Sequence, residues 1–68
     1  MTNAELANVF IYHAPKGDDL ERYEKIRNAG HVFALAIQEL CPESADKTAA
    51  IRKVREAVFV ANASIACR

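Results

Sequence analysis

The sequence predicts an all-α fold: an antiparallel two-helix hairpin with a short N-terminal segment, assembled as a homo-oligomer. Three observations predict it. Between Asp18 and Cys41, residues Tyr23, Ile26, Gly30, Phe33, Ile37 and Leu40 are spaced three, four, three, four, three, the seam of a helix packed lengthwise on another. Ile51, Val54, Val58, Ala61 and Ile65 repeat that beat between residues 44 and 67. A short link containing Pro42 joins the two, which makes them antiparallel neighbours. The oligomer follows from excess apolar surface. Ala29, Val32, Leu35 and Ala36 widen the first seam, and no residue from Val32 to Ile37 is polar. Such a helix needs cover on more than one side, and a chain of 68 residues has little to provide it. Other copies of the chain are the expected source.

In chain order, residues 1–17 form an arm and turn. Met1 to Asn8 is polar with a mild helical look, and Val9-Phe10-Ile11-Tyr12 reads as either an extended segment or a short turn of helix. His13 to Asp18 is a turn. Pro15 pushes Ala14 into an extended conformation, and Gly17 permits the φ that the reversal requires. The helix predicted over 18–41 starts at Asp18 as N-cap, with Glu21 three residues on as the second half of a capping box. Asp18, Asp19, Glu21 and Glu24 also suit the positive end of the helix dipole. Gly30 costs about 1 kcal/mol relative to alanine. It marks either a close approach of a neighbouring backbone or simple tolerance. Pro42 ends the helix and Ser44 can cap the next, predicted over 44–67. The whole chain is one domain.

Half the residues are apolar, with two glycines and two prolines, a composition that argues against disorder. Nine basic residues balance nine acidic ones, so net charge does not support a general grip on nucleic-acid polymers. Met1 to Ala7 lacks the basic start and apolar run of a signal peptide, and no apolar run approaches a membrane span. Cys41 and Cys67 would sit at opposite ends of the hairpin, roughly 35 Å apart at about 1.5 Å rise per residue. That separation rules out a bridge within the chain.

No hydroxyl is linked by motif to a base, no thiol has a histidine nearby in sequence, and there is no phosphate-binding glycine loop. His13, His31, Cys41 and Cys67 are too scattered to form a metal site. Neither an enzyme nor a cofactor is expected. Cations and rings remain. Lys47, Arg52, Lys53 and Arg55 lie close together on the second helix. Arg52, Arg55 and Thr48 are spaced to share a face. Around the turn, Tyr12 adjoins His13 and Lys16, with Arg22, Lys25 and Arg27 on the first helix. A ring beside a guanidinium is what a stacked base and its phosphate require. The ordinary alternatives are solvated cations and an interface tyrosine. Asn62, among apolar neighbours, reads as a residue that fixes helix register, and His31 as an interface histidine.

The motifs Tyr12-His13-Ala-Pro-Lys16-Gly-Asp, Glu-Arg22-Tyr23-Glu-x-Ile-Arg27, Glu-Leu-Cys-Pro-x-Ser, Ala-Ile-Arg52-Lys53-Val-Arg-Glu-Ala-Val and Ala-Asn62-Ala-x-Ile-Ala occur in this order. Together they resemble the helical-hairpin domain of the bacteriophage cyclic-oligonucleotide sponges, inhibitors of CBASS and Thoeris immunity. The likeness runs from Phe10 to Ala66. It implies a homohexamer in the cytoplasm of the infected host, binding cyclic di- and trinucleotide messengers without cleaving them. By position, the resemblance implies a dinucleotide site clasped by Tyr12 of one chain and Arg27 of another, with His13 and Lys16 beside the ring. It implies a separate trinucleotide site at Arg52, with Lys53 as the neighbouring choice and Ala29 where members carry a small hydroxyl residue. The β-rich part of the anti-Thoeris branch has no counterpart. Read without the resemblance, the residues leave open an oligomeric helical module that binds a host protein.

Overall fold

The computed structural model describes residues 1–68. It contains three helices and no strand: α1 (Asn3–Phe10), α2 (Asp19–Leu40) and α3 (Ala45–Ala66). The all-α class is as expected, but the helix count is three rather than two. The extra helix lies in the arm. Thr2 caps it, its hydroxyl accepting from the Glu5 amide at 3.1 Å, and the chain turns extended at Ile11. The open choice over residues 9–12 therefore resolves as helix through Phe10, then extended chain.

The long helices are antiparallel. Gln38 meets Lys47 at the turn, Gly30 meets Val58 midway, and Asp19 meets Arg68 at the open end. Gly30 answers the question its sequence position raised. A Cβ there would collide with a methyl of Val58, so the glycine is what lets α2 and α3 close on each other. Gly17, with φ of 59°, supplies the left-handed residue of the turn before α2.

The ends of α2 depart from the simplest capping scheme. Asp18 occupies the N-cap position, but its side chain makes no capping bond. Its Oδ2 instead accepts from Arg22 Nε at 2.8 Å, and this hydrogen bond, chiefly, holds the Asp18 carboxyl below its ordinary value. Asp19 takes the interior role. It is 2% exposed, accepting from the Lys16 amide at 3.1 Å and from the Arg68 guanidinium at 2.8 Å. At the other end, Lys47 is 6% exposed and folds back to donate to the Gln38 carbonyl at 3.0 Å while pairing with Glu43. A cation on the last carbonyls of a helix satisfies orphan acceptors and complements the dipole. Lys47 thus leaves the group of solvated cations in which its sequence position had put it. Ser44 behaves as expected, its hydroxyl accepting from the Lys47 amide at 3.1 Å.

The α3 seam matches the expected beat, with Ile51, Val54, Val58, Ala61 and Ile65 all partly buried. On α2 the inward set is Tyr23, Ile26, Gly30, Ala34 and Ile37. Phe33 and Leu40 stay exposed. One neighbouring helix can cover only one stripe, and at 3.6 residues per turn that stripe passes through Ala34 rather than Phe33. The Cα trace is a slab of 44 × 26 × 13 Å. A layer this thin leaves both broad faces bare: Ile37, at 9% exposure, is the single buried apolar residue. Val32, Phe33, Leu35, Leu40, Phe59 and Val60 are open to solvent. α1 packs against neither long helix. It is tethered by polar contacts, with Asn8 Nδ2 donating to the Cys67 carbonyl at 2.9 Å. No helix is long and apolar enough to cross a membrane.

Candidate functional site

Two clefts flank the seam. Both include Gly30, Val54 and Val58. Their remaining residues come from opposite sides of that line on each helix, so the clefts open on opposite broad faces. The larger, about 520 Å³, is walled by Ile26, Phe33, Ile37, Ala57 and Ala61, with Lys53 its single cation and Ala29 at its border. The smaller, about 270 Å³, holds Arg27 and His31 from α2 and Arg55 and Phe59 from α3.

The expected trinucleotide residues divide. Lys53 and Ala29 share the larger cleft, while Arg52 is exposed and lines neither. Thr48, expected on the face of Arg52, turns its hydroxyl to the Ser44 carbonyl at 3.4 Å.

The expected dinucleotide residues also lie apart within one chain. Tyr12 is 85% exposed on the link between α1 and α2, and its hydroxyl makes no hydrogen bond. Arg27 lies in the smaller cleft, and neither cleft contains Tyr12. His13 is bound inward, its Nε2 lying 2.7 Å from the Asn8 carbonyl. A carbonyl only accepts, so this nitrogen carries the hydrogen and Nδ1 stays free. Lys16 is exposed, its amide spent on Asp19. The arm thus presents an unpartnered ring on a segment tied back at His13, Lys16 and Asn8.

Three features were not anticipated. The Arg55 guanidinium carbon lies 5.3 Å from the Phe59 ring centroid. The four-residue spacing of Arg55 and Phe59, and of Arg27 and His31, was a readable signal. The Asp19–Arg68 pair joins residues 49 apart in sequence and had no local signature. Asn62 does not fix register by a hydrogen bond within the hairpin, since its Oδ1 is buried without a partner. No group of histidine, cysteine or acidic residues could hold a metal ion, and both cysteines are free.

The geometry offers anion-seeking side chains and an exposed ring. The Acb2/Tad1 hairpin-domain profile matches residues 2–66. The chain belongs to this family. The Acb2/Tad1 hairpins are phage sponges for cyclic oligonucleotides, proteins that bind these ligands rather than transform them. The match takes in α1 as well as the hairpin, so the arm that carries Tyr12 belongs to the domain. No curated protein and no solved structure matches the chain.

Proposed function

We propose that the protein is a phage anti-defence sponge that sequesters cyclic di- and trinucleotide messengers intact, and so keeps CBASS signalling from its effector in the cytoplasm of the infected host. The observation that carries this reading is the family match across nearly the whole chain.

The working form is a homo-oligomer, which we take to be a hexamer. The support is physical. A single copy buries one apolar residue and leaves Val32, Phe33, Leu35, Leu40, Phe59 and Val60 exposed on the outer faces of its long helices. At about 25 cal/mol per Å² of apolar surface removed from water, covering those faces with sibling chains is strongly favourable. Assembly also answers the separation of Tyr12 from Arg27. A dinucleotide is clasped by Tyr12 of one copy and Arg27 of its neighbour, with His13 and Lys16 beside the ring. A trinucleotide is held separately by Arg52 and Lys53 near Ala29. Stacking contributes about 1–3 kcal/mol per base, and charge-assisted hydrogen bonds hold the phosphates.

A panel of cyclic oligonucleotides tests this directly. At a free ligand concentration a hundredfold above Kd, the native state gains about 2.7 kcal/mol, a clear rise in Tm. Ligand recovered after denaturation is unaltered, and Tyr12→Ala removes the dinucleotide response while sedimentation of the oligomer is unchanged. Cleaved ligand would make the protein an enzyme. No response from any cyclic oligonucleotide, together with a polypeptide recovered in pull-downs, would favour a host-protein interaction module.

A further inference from the structure

The smaller cleft contains more than the messenger site described above uses. Arg27 and His31 enter from α2, Arg55 and Phe59 from α3, and no acidic residue lines it. Five of the nine lysines and arginines have no carboxylate partner, and two of those five line this one groove. Arg22, Lys25, Lys47 and Arg68 each have a carboxylate within 4.0 Å, whereas Arg27 and Arg55 have none. Two unneutralised guanidinium groups therefore border one groove whose other walls are largely apolar.

Arg55 is also held in place. Its guanidinium lies 5.3 Å from the Phe59 ring centroid, which restrains the long side chain and leaves the in-plane N–H fork free. A fork of that kind matches two oxygens of one phosphate. Arg27 meets the same space from the facing helix, and His31 adds a ring N–H. At about 270 Å³ the cleft falls below the roughly 300–1,000 Å³ that encloses a drug-sized ligand. It suits one phosphate with its flanking sugar edge, not a whole cyclic nucleotide.

We propose that Arg55, together with Arg27 and His31, forms a phosphate-binding cleft that grips one phosphodiester of the nucleotide ligand. The identity of that ligand rests on the messenger reading above; the anion chemistry does not. Arg55 then sets phosphate position, and Phe59 acts by keeping its guanidinium stacked.

The test uses the full-length labelled protein, with arginine Nε–H signals followed by NMR during titration with inorganic pyrophosphate and, separately, cyclic di-AMP. The signals of Arg27 and Arg55 should move together and saturate with at least one probe, while that of Arg22, engaged by Asp18, stays in place. Arg55→Gln should weaken binding of the responding probe about tenfold or more, the loss expected for a charge-assisted bidentate contact. Lys25→Gln removes the same charge outside the cleft and should change it less than about twofold. Silence at Arg55 with both probes, equal movement of Arg22, or equal losses in the two variants overturns the proposal. Pyrophosphate binding at the cleft with no response to any cyclic oligonucleotide keeps the cleft and removes the messenger reading. A cyclic di-AMP response in which neither probe moves Arg55 does the reverse.

Discussion

On one broad face of the hairpin, the groove beside Gly30 is walled by Ile26, Phe33, Ile37 and Ala61, with Lys53 as its single cation. On the other, the same glycine is flanked by Arg27, His31, Arg55 and Phe59. The two grooves share a floor and differ in what lowers their free energy. Apolar walls gain by leaving water, so the first face is satisfied by surface as apolar as itself. Unpaired guanidinium groups are satisfied by an anion, and close approach of another copy's arginines without one would be repulsive. One seam thus separates a mostly apolar face with a lone Lys53 from a face that carries two unpaired guanidinium groups. In a slab only 13 Å thick at the Cα level, changes on either side are felt at the shared seam.

The largest expected effect is on the apolar side. Phe33 is exposed in the single chain and stands outside the α2–α3 seam. Phe33→Glu should leave helicity by circular dichroism intact and reduce the proposed oligomer to single or paired chains by sedimentation, because a carboxylate in place of an apolar ring costs several kcal/mol to bury between copies. An oligomer of unchanged size would assign the apolar face some other partner and break the contrast.

A change at the shared floor sharpens it. Gly30→Ala gains about 1 kcal/mol in helix propensity but puts a methyl into Val58, and overpacking of a close contact costs about 1–3 kcal/mol. The balance is a modest net loss of stability, together with a widened seam. Both faces should suffer at once, with weaker assembly and weaker ligand binding. Gly30→Ala combined with Val58→Ala should recover much of both. If the single substitution stabilises the protein instead, Val58 moves aside easily and the glycine is only tolerated.

The contrast between faces was half legible in the sequence. The five apolar residues that periodicity assigned to the α3 seam are all partly buried, because a helix packed on one neighbour is read by its single apolar stripe. It misplaced Phe33, since Phe33 and Ala34 both fit a three-or-four beat and only the packed partner decides between them. Lys47 looked like a surface cation because its acceptor, the Gln38 carbonyl, is backbone and leaves no mark in residue types. Asp19 looked like one of four dipole-facing acids, and its partner Arg68 arrives from the far end of the chain. α1 was ambiguous because eight residues with few contacts carry little periodic signal. The candidate ligand residues were readable as types, but their meeting points depend on several helices and, in the proposed assembly, on several chains.

The smallest effect concerns a pair that belongs to neither face, and for that reason it serves as a control. The Asp18 carboxyl accepts from Arg22 Nε at 2.8 Å, and this bond, more than the charge of Arg22 or Arg68, keeps it below the ordinary 3.8 despite opposing desolvation. A depressed carboxylate value means the folded state binds the proton less readily than the unfolded one. Its contribution is therefore complete above the ordinary value and is lost as pH falls through the lower folded value. Both side chains are about half exposed, so the contribution is small and salt-sensitive. A difference measurement against the variant isolates the contribution of this pair. The Tm gap between the wild type and Arg22→Gln should be steady from neutral pH to about 4 and close below it, shrinking also at high salt. At neutral pH the variant should bind ligand and assemble as the wild type does, because Arg22 lines neither groove. A gap that persists at pH 2 would mean that Arg22 acts through packing rather than charge. A loss of assembly would mean that the open end of the hairpin, and not the apolar face alone, meets the neighbouring copy.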